Sequence, residues 1–374
     1  MRLALCKWLA LVSFVLFIGL TQFTNPAVAA TNSPTPALVD HAAQSITEDV
    51  KKSAEPGLHG QHPKSHGLVW AEFTVEPNLP EDLKVGVFKQ PGRTFPAWIR
   101  FSNARGKDDT KNGLHGMAIK LMDVEGEKVL PDEKDAKTQD FILVDHPVFF
   151  LRNAQDSANF FNALAESDGQ PPLKQFFFAG VNPLKWHPRE FRILLAMQNK
   201  KIESPLLTQY WSGTPYQLGA SAIKFSANPT GSQPELSISK TENYLHTAMV
   251  EQLKTQDASF DFLVQRQTDP AKMPIDDATV EWSEKESPFQ KVATIKIPRQ
   301  VFDSSEQETF GENLSFNPWH SLPEHAPLGS VNQARKTIYQ SLSEQRHQFR
   351  KVAVQEPTVQ SFTPNLVSSG DRPA

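Results

Sequence analysis

The pattern of hydrophobic and polar positions predicts many β-strands in the middle of the chain and helices around them. Residues 68–75 alternate between apolar and polar and are rich in aromatic and β-branched side chains, which is typical of a half-buried strand. The same pattern predicts strands at 95–103, 116–123, 139–143, 221–227, 259–267, 279–282 and 290–297. Apolar positions at helical spacing predict helices at 39–53, 153–167, 189–199 and 330–352. Strands of hairpin type, with helices gathered late, favour an α+β fold built on an antiparallel barrel.

The first 30 residues differ from the rest of the chain. Arg2 and Lys7 precede an almost wholly apolar run, residues 8–20, and small residues follow it up to Ala30. This arrangement predicts a secretory signal that is cleaved near residue 30, so that the chain is exported to the periplasm or secreted. The alternative is an uncleaved membrane anchor, but the apolar run is short for a span of about 20 residues. Residues 31–57 are then a linker and an N-terminal helix.

Composition narrows the function further. The 374 residues carry a formal net charge of −4 and no basic patch, so no nucleic-acid partner is expected. Cys6, inside the predicted signal, is the only cysteine. The mature chain therefore has no disulfide and no thiolate to hold haem or an iron–sulfur cluster. No membrane partner is expected after signal cleavage.

A pair of side chains on the last predicted helix indicates specific chemistry. Arg335 and Tyr339 are four residues apart, so they share one helical face. An arginine beside a phenol oxygen stabilises the phenolate, because the charged form gains an opposite charge. One main use of a tyrosinate in proteins is as an axial ligand of haem iron. Most Arg/Tyr pairs at this spacing lie on a protein surface without a specific function. The pair therefore indicates haem ligation only together with the motifs upstream.

Five motifs occur in the order in which haem catalases have them. They are H-P-K-S-H-G at 62–67, W-I-R-F-S at 98–102, G-M-A-I-K at 116–120, P-V-F-F-L-R at 147–152 and L-S-F-N-P at 314–318. With R-x-x-x-Y at 335–339, the chain resembles haem catalases, and best the small catalase-related proteins. The resemblance implies that residues 58–355 form one haem domain. Its fold is expected to be a catalase-like, eight-stranded antiparallel β-barrel with surrounding helices, and its cofactor haem b. Residues 356–374 are rich in Pro and Ser and are expected to be a loose tail.

The resemblance also implies roles for individual residues. His62 matches the distal histidine, which moves a proton between the two peroxide oxygens, and His66 is its nearest competitor. Tyr339 matches the iron ligand, and Arg335 its charge partner. Further residues implied to contact the haem are Arg100, Ser102, Phe149, Phe150 and Phe160. His59 stands where the family usually has another arginine.

The chain departs from the catalase pattern before the P-V-F-F motif. Catalases have a distal asparagine there, whereas this chain has Asp145 and His146. Asp145 is the candidate for that place, as an acceptor rather than an amide donor. This substitution predicts weaker catalase activity and a larger share of peroxidase turnover.

The predicted function is therefore a haem-dependent hydroperoxidase. It decomposes hydrogen peroxide, or uses hydrogen peroxide or an organic hydroperoxide to oxidise an organic reductant. Two alternatives stay open, an enzyme acting on fatty-acid hydroperoxides and a haem-binding protein without turnover. A homo-oligomer is compatible with the sequence. Because the chain is shorter than typical catalases, the tetramer of that family need not carry over. His320 and His325 suggest a metal site only weakly, because a proline lies between them.

Overall fold

The computed structural model describes residues 35–53, 55, 57–104, 106–167, 172–231 and 237–367. The predicted signal peptide and residues 31–34 of the predicted linker lie outside these residues. The helix expected at 39–53 is α1 (Pro36–Ser53). No helix in the described part of the chain is both long and apolar enough to span a bilayer.

Eight antiparallel strands close into a barrel, which confirms the α+β class. In spatial order the strands are β1 (Lys64–Val75), β2 (Thr94–Asn103), β3 (His115–Met122), β4 (Thr138–Val144), β5 (Tyr210–Trp211), β7 (Ser221–Thr230), β8 (Ala258–Arg266) and β9 (Gln290–Ile297). The ring closes because β1 pairs with β9, while the short β5 pairs with both β4 and β7. A ninth strand, β6 (Tyr216–Leu218), extends the sheet beyond β7.

Phenylalanine rings fill the inside of the barrel. Phe73, Phe141, Phe225 and Phe262 contact one another with centroid separations of 4.9–6.2 Å. These four side chains are at most 4% exposed. Burying one such ring is worth about 1.5–3 kcal/mol, so these four rings contribute substantially to the stability of the barrel.

Helices pack around the barrel. They are α2 (Ala154–Glu166), α3 (Pro188–Gln198), α4 (Tyr244–Thr255), α5 (Ser305–Asn313) and α6 (Ser330–Arg350). Small and branched residues of α1, α2 and α6 form one buried cluster, with Ala42, Ala158 and Ile338 among its members. This cluster fixes α6, which carries Arg335 and Tyr339, against the first helix of the described chain.

Two predictions about local structure do not agree with the fold. Residues 279–282, predicted as a strand, form a turn and irregular chain. Side chains form hydrogen bonds with the backbone of this segment. Asp277 accepts from the Thr279 N–H at 3.1 Å, and Gln265 donates to the Trp282 carbonyl at 2.9 Å. No backbone ladder is therefore needed in this segment.

The segment after residue 355 is in contact with the barrel rather than loose at its start. Glu356 forms an ion pair with the buried Lys120 at 2.6 Å. Phe362 packs edge-on against Trp98 and stacks on Phe310 at 5.1 Å. A buried ammonium is costly without a carboxylate partner, which explains why Glu356 is held here. Residues 368–374 lie outside the described residues, and for them the loose tail stays a prediction.

Candidate active site

One cavity brings together residues from the two ends of the described chain. Its volume is about 70 Å³. Residues that line it include His62, Arg100, Ser102, Gly116, Tyr339 and Arg346. β2 and β3 place Ser102 directly opposite Gly116 in the ladder, and α6 supplies Tyr339 and Arg346. The structure thus places the sequence-predicted histidine and tyrosine in the same cavity.

His62 is held by two hydrogen bonds just before β1. Its Nδ1 and Ser102 Oγ are 3.1 Å apart, and its carbonyl accepts from Arg100 Nη1 at 3.0 Å. Its backbone is left-handed, with φ of 57°, which is uncommon for a residue other than glycine. Such strain persists only where neighbouring contacts fix it, and it is concentrated at functional sites.

The His62 ring is kept neutral by its surroundings. Burial lowers the pKa of the ring from 6.5 to about 3, and the nearby positive charge of Arg100 acts in the same direction. No described residue forms a hydrogen bond with its Nε2. A neutral imidazole with one ring nitrogen bonded to Ser102 is suited to accept a proton from a ligand in the cavity.

Gly116 leaves the space that the His62 ring occupies. A Cβ at this position would lie 2.5 Å from His62 Nδ1 and 3.1 Å from Ser102 Oγ. The first distance is too short for non-bonded atoms, so a side chain here would force the imidazole out of place. The G-x-A-x-K motif therefore has a local steric reason in this chain.

For the haem hydroperoxidase that the sequence predicts, Gly116→Ala is expected to lower peroxide turnover by about 10²-fold, because a small displacement of a positioned catalytic group costs on that order. Haem content and the melting temperature should change little. Gly113→Ala is the matched control, since a Cβ there meets nothing within 4 Å. Steady-state rates and haem absorbance of both variants check the prediction, and equal rates would show that the His62 position is not critical.

The other two histidines of this region have structural roles. His66 is fully buried, its Nε2 is 2.7 Å from Asn103 Oδ1, and it does not line the cavity. His59 lines the cavity, but burial first, and then Arg100 and Arg346, hold its pKa well below 6.5. His59 is therefore neutral and does not supply the positive charge of the arginine that haem catalases usually have at this position.

Arg335 and Tyr339 are in contact, as their spacing predicts. Arg335 Nη2 donates to Tyr339 Oη at 3.2 Å, and the guanidinium lies 5.2 Å from the centre of the tyrosine ring. Nη1 of the same arginine donates to Asn332, Thr214 and Tyr216 at 3.0–3.3 Å. Burial alone would lower the pKa of Arg335, but the two phenols outweigh it and raise the pKa. The guanidinium is thus a fixed positive charge beside Tyr339.

Arg100 and Arg346 form a cationic group at another part of the cavity wall. Arg100 is paired with Glu312 at 3.3 Å, and its Nε has no hydrogen-bond partner among the described residues. Arg346 donates to the carbonyls of Glu312 and Leu314 and to His59 Nδ1. Glu312 lies on α5, a helix that the sequence pattern did not predict, so this partner of Arg100 could not be anticipated.

The structure contradicts the placement of Asp145 as a distal group. Asp145 is fully buried and does not line the cavity. Its two oxygens accept from the His115 backbone N–H and from His115 Nδ1, both at 2.8 Å. The carboxylate is therefore a structural partner of His115 at the β3–β4 edge and has no free oxygen directed to His62.

Asp145→Asn is expected to destabilise the fold by about 1–3 kcal/mol, because a charge-assisted hydrogen bond to His115 is lost. The ratio of oxygen evolution to donor oxidation should not change. Denaturant melts and both activities, compared with Asp156→Asn as a buried carboxylate variant on α2, check this. If the ratio of oxygen evolution to donor oxidation changes while stability does not, Asp145 acts in the active site after all.

The three phenylalanines predicted to wall the cavity do not line it. The ring of Phe150 contacts those of Phe149 and Phe160, with centroids 5.1 Å apart in each pair, and all three pack in a separate cluster with Phe176 and Phe177. Two other phenylalanines, which were not predicted as haem contacts, contact the cavity or the cluster that supports it. Phe316 lines the cavity, and Phe161 packs against the cluster that includes Tyr339. The F-F motif thus stabilises the α2 side of the protein.

Two further groups of side chains have the ligand types of a metal site. Glu133, His320 and Glu356 lie together, as do Asp156, His187 and Glu190. In the second group an arginine pairs with both carboxylates, whereas in the first group a lysine pairs with Glu356 and the Glu133 carboxylate contacts only His320 among the described residues. Lys120 pairs with Glu356 at 2.6 Å, and Arg152 Nε is 2.7 Å from Asp156 and 3.0 Å from Glu190. The second group therefore has no unpaired carboxylate for a metal ion, and in the first group Glu133 alone has no lysine or arginine partner in the described part of the chain.

No family model matches the chain. Catalase A of Emericella nidulans is 22% identical over 326 residues, which cover 78% of this chain and 40% of that protein. The chain therefore spans less than half the length of this curated relative.

Solved catalase structures are similar to the chain over nearly all of its length. A fungal catalase covers 89% of this chain and 68% of its own, with a TM-score of 0.62 and 16% identity. Catalase A from Saccharomyces cerevisiae gives a TM-score of 0.61 at 17% identity, covering 89% and 70% of the two chains. A bacterial catalase gives 0.55 at 15% identity, covering 94% and 71%. These structures share the closed barrel and the helices around it.

Proposed function

We propose that this catalase homologue is a haem-dependent hydroperoxidase that acts on hydrogen peroxide or on an organic hydroperoxide. The observation that carries the proposal is that His62 and Tyr339, far apart in sequence, line one cavity. A proton acceptor and a phenol oxygen beside an arginine are the two protein groups that this chemistry needs. The sequence relation to a catalase and the catalase fold support the same conclusion.

The residues of the cavity fit a haem. Tyr339 Oη would be the iron ligand, with Arg335 as its charge partner. Arg100 Nε is a buried donor without a partner, which costs about 1–3 kcal/mol unless an acceptor such as a propionate carboxylate takes it. The absence of a side chain at Gly116 keeps room for His62 beside the bound group.

Haem supplies redox chemistry at iron that splits the oxygen–oxygen bond of a peroxide. His62 contributes the proton transfer: its free ring nitrogen accepts the proton of one peroxide oxygen and delivers it to the other, which leaves as water or an alcohol. Ser102 orients the ring through Nδ1. Gln61 also lines the cavity and provides an amide there, the group that a distal asparagine supplies in the catalase pattern.

The acid limb of the pH profile should lie far below that of an ordinary histidine. Because the pKa of His62 is lowered to about 3, the ring stays in its proton-accepting form well below neutral pH. A histidine with a pKa of 6.5 would be roughly nine-tenths protonated at about pH 5.5. We expect kcat/KM for peroxide to be level from about pH 8 to about pH 5. A tenfold fall across that range would show that His62 titrates normally.

The proposal is tested by a haem absorption spectrum together with two activity assays, oxygen evolution and oxidation of an organic donor. Haem binding with oxygen evolution supports a catalase, and haem binding with donor oxidation alone supports a peroxidase. Turnover of fatty-acid hydroperoxides, without oxygen evolution and without donor oxidation, would favour an enzyme specific for fatty-acid hydroperoxides. Haem binding with no turnover would reduce the protein to a haem carrier.

Export belongs to the same proposal. The charged start, the apolar run and the small residues before residue 30 support a cleaved secretory signal. The mass and N-terminal sequence of the exported protein test it, and a product that retains residues 1–30 in the membrane would support the anchor instead.

A further inference from the structure

An exposed turn before α3 carries the two most solvent-exposed large apolar side chains of the described chain. Val181 is 98% exposed and Leu184 is 93% exposed, and Trp186 follows at 39%. All three lie within ten residues of one another, between the turn at Leu173–Phe177 and the start of α3. Single exposed apolar residues are common, but three at one tip indicate an interaction surface.

The turn is held in one conformation. Asn182 Oδ1 accepts from the Leu184 N–H at 3.1 Å, and Trp186 Nε1 donates to the Gly180 carbonyl at 3.3 Å. The Trp186 ring meets Phe178 edge-on at 5.8 Å. These bonds fix the base of the turn, so Val181 and Leu184 project from an ordered support and binding would cost little conformational entropy.

The segment that carries the apolar tip is rich in positive charge. Residues 172–201 contain six cations and a single carboxylate, so their formal net charge is +5 although the whole chain carries −4. The carboxylate, Glu190, is buried and paired with Arg152 at 3.0 Å. Lys174, Lys185 and Arg192 are exposed and make no ion pair within the described residues.

We propose that this turn, residues 178–187, docks the protein on the surface of an anionic phospholipid bilayer. Exposed apolar and aromatic side chains flanked by lysines are the pattern of interfacial membrane binding, in which apolar groups enter the headgroup region and cations meet anionic lipids. The inference is independent of the proposed function. It departs from the sequence-based expectation that the mature chain has no membrane partner.

A second copy of the chain fits this surface less well. Three protruding side chains fall short of the roughly 800 Å² per partner that a stable protein interface buries. A two-fold contact through the turn would also bring the same positively charged surface of both copies together. Anionic lipid, in contrast, neutralises that charge.

A fluorophore at the tip tests the proposal in the full chain. Cys6 is the only native cysteine, so Val181→Cys in a Cys6→Ser background carries a single environment-sensitive label. With phosphatidylglycerol-containing vesicles its emission should rise and move to shorter wavelength, and the change should shrink as salt is added. With phosphatidylcholine vesicles it should stay near the value in buffer. A label at Val301→Cys, an exposed position away from the turn, controls for tethering by the N-terminal segment.

Charge removal provides the second measurement. Lys174→Ala with Lys185→Ala should weaken binding at the Val181 label by about 30-fold, because each cation near an anionic membrane contributes roughly fivefold. Lys89→Ala with Lys285→Ala removes two exposed cations elsewhere and should have little effect. An unchanged Val181 emission, or equal changes with neutral vesicles, overturns the proposal. Self-association that Val181→Ser abolishes, without vesicle binding, would assign the turn to a second copy instead.

Discussion

Tyr339→Phe is expected to abolish normal haem ligation. A phenyl ring has no oxygen to bind iron, and no other tyrosine oxygen of the described chain lines the cavity. The variant should fold, because Tyr339 is only partly buried and its phenol bonds to Arg335 alone. Haem titration followed by absorbance should show a shifted spectrum and a much lower occupancy than wild type.

Tyr216→Phe is the matched control for this variant. Its phenol also accepts from Arg335, at 3.3 Å, yet it does not line the cavity. Haem ligation should survive this change. The assignment of Tyr339 fails if its phenylalanine variant keeps the wild-type spectrum, or if Tyr216→Phe is the one that loses it.

His62→Ala is expected to retain haem and to lose peroxide cleavage by about 10²-fold or more, the usual scale for a positioned acid/base group. The cavity would keep Ser102 and Arg100, but no group that accepts a proton near neutral pH would stand in the same place. Single-turnover reaction with peroxide separates this loss from any effect on haem binding.

His66→Gln serves as the control, because His66 lies four residues on and bonds to Asn103 rather than lining the cavity. The amide can retain a hydrogen bond to Asn103, so stability should fall little and the rate should stay near wild type. The opposite order of damage would transfer the proton-transfer role to His66.

The parts of the site that depend on short sequence spacing were predictable. Arg335 and Tyr339 touch because four residues make about one helical turn. Strand alternation located seven of the barrel strands to within a few residues, since one face of each must be buried. The two-residue strand β5, which closes the barrel, carries no such pattern and could not be recognised.

The errors share one physical cause, which is that sequence order does not give direction in space. Asp145 follows β4 and was expected to face His62, but its carboxylate turns to His115 on the neighbouring strand. Phe149, Phe150 and Phe160 were expected to wall the cavity, but they pack into a separate cluster on the α2 side. Glu312 reaches Arg100 only through tertiary packing of α5.

The most direct test of the central claim is an experimental structure of the chain loaded with haem. The account predicts iron bonded to Tyr339 Oη, Arg335 within hydrogen-bond distance of that oxygen, and the free nitrogen of His62 facing the haem. Iron bound to any other side chain, or haem bound outside the cavity that His62 and Tyr339 line, would contradict it.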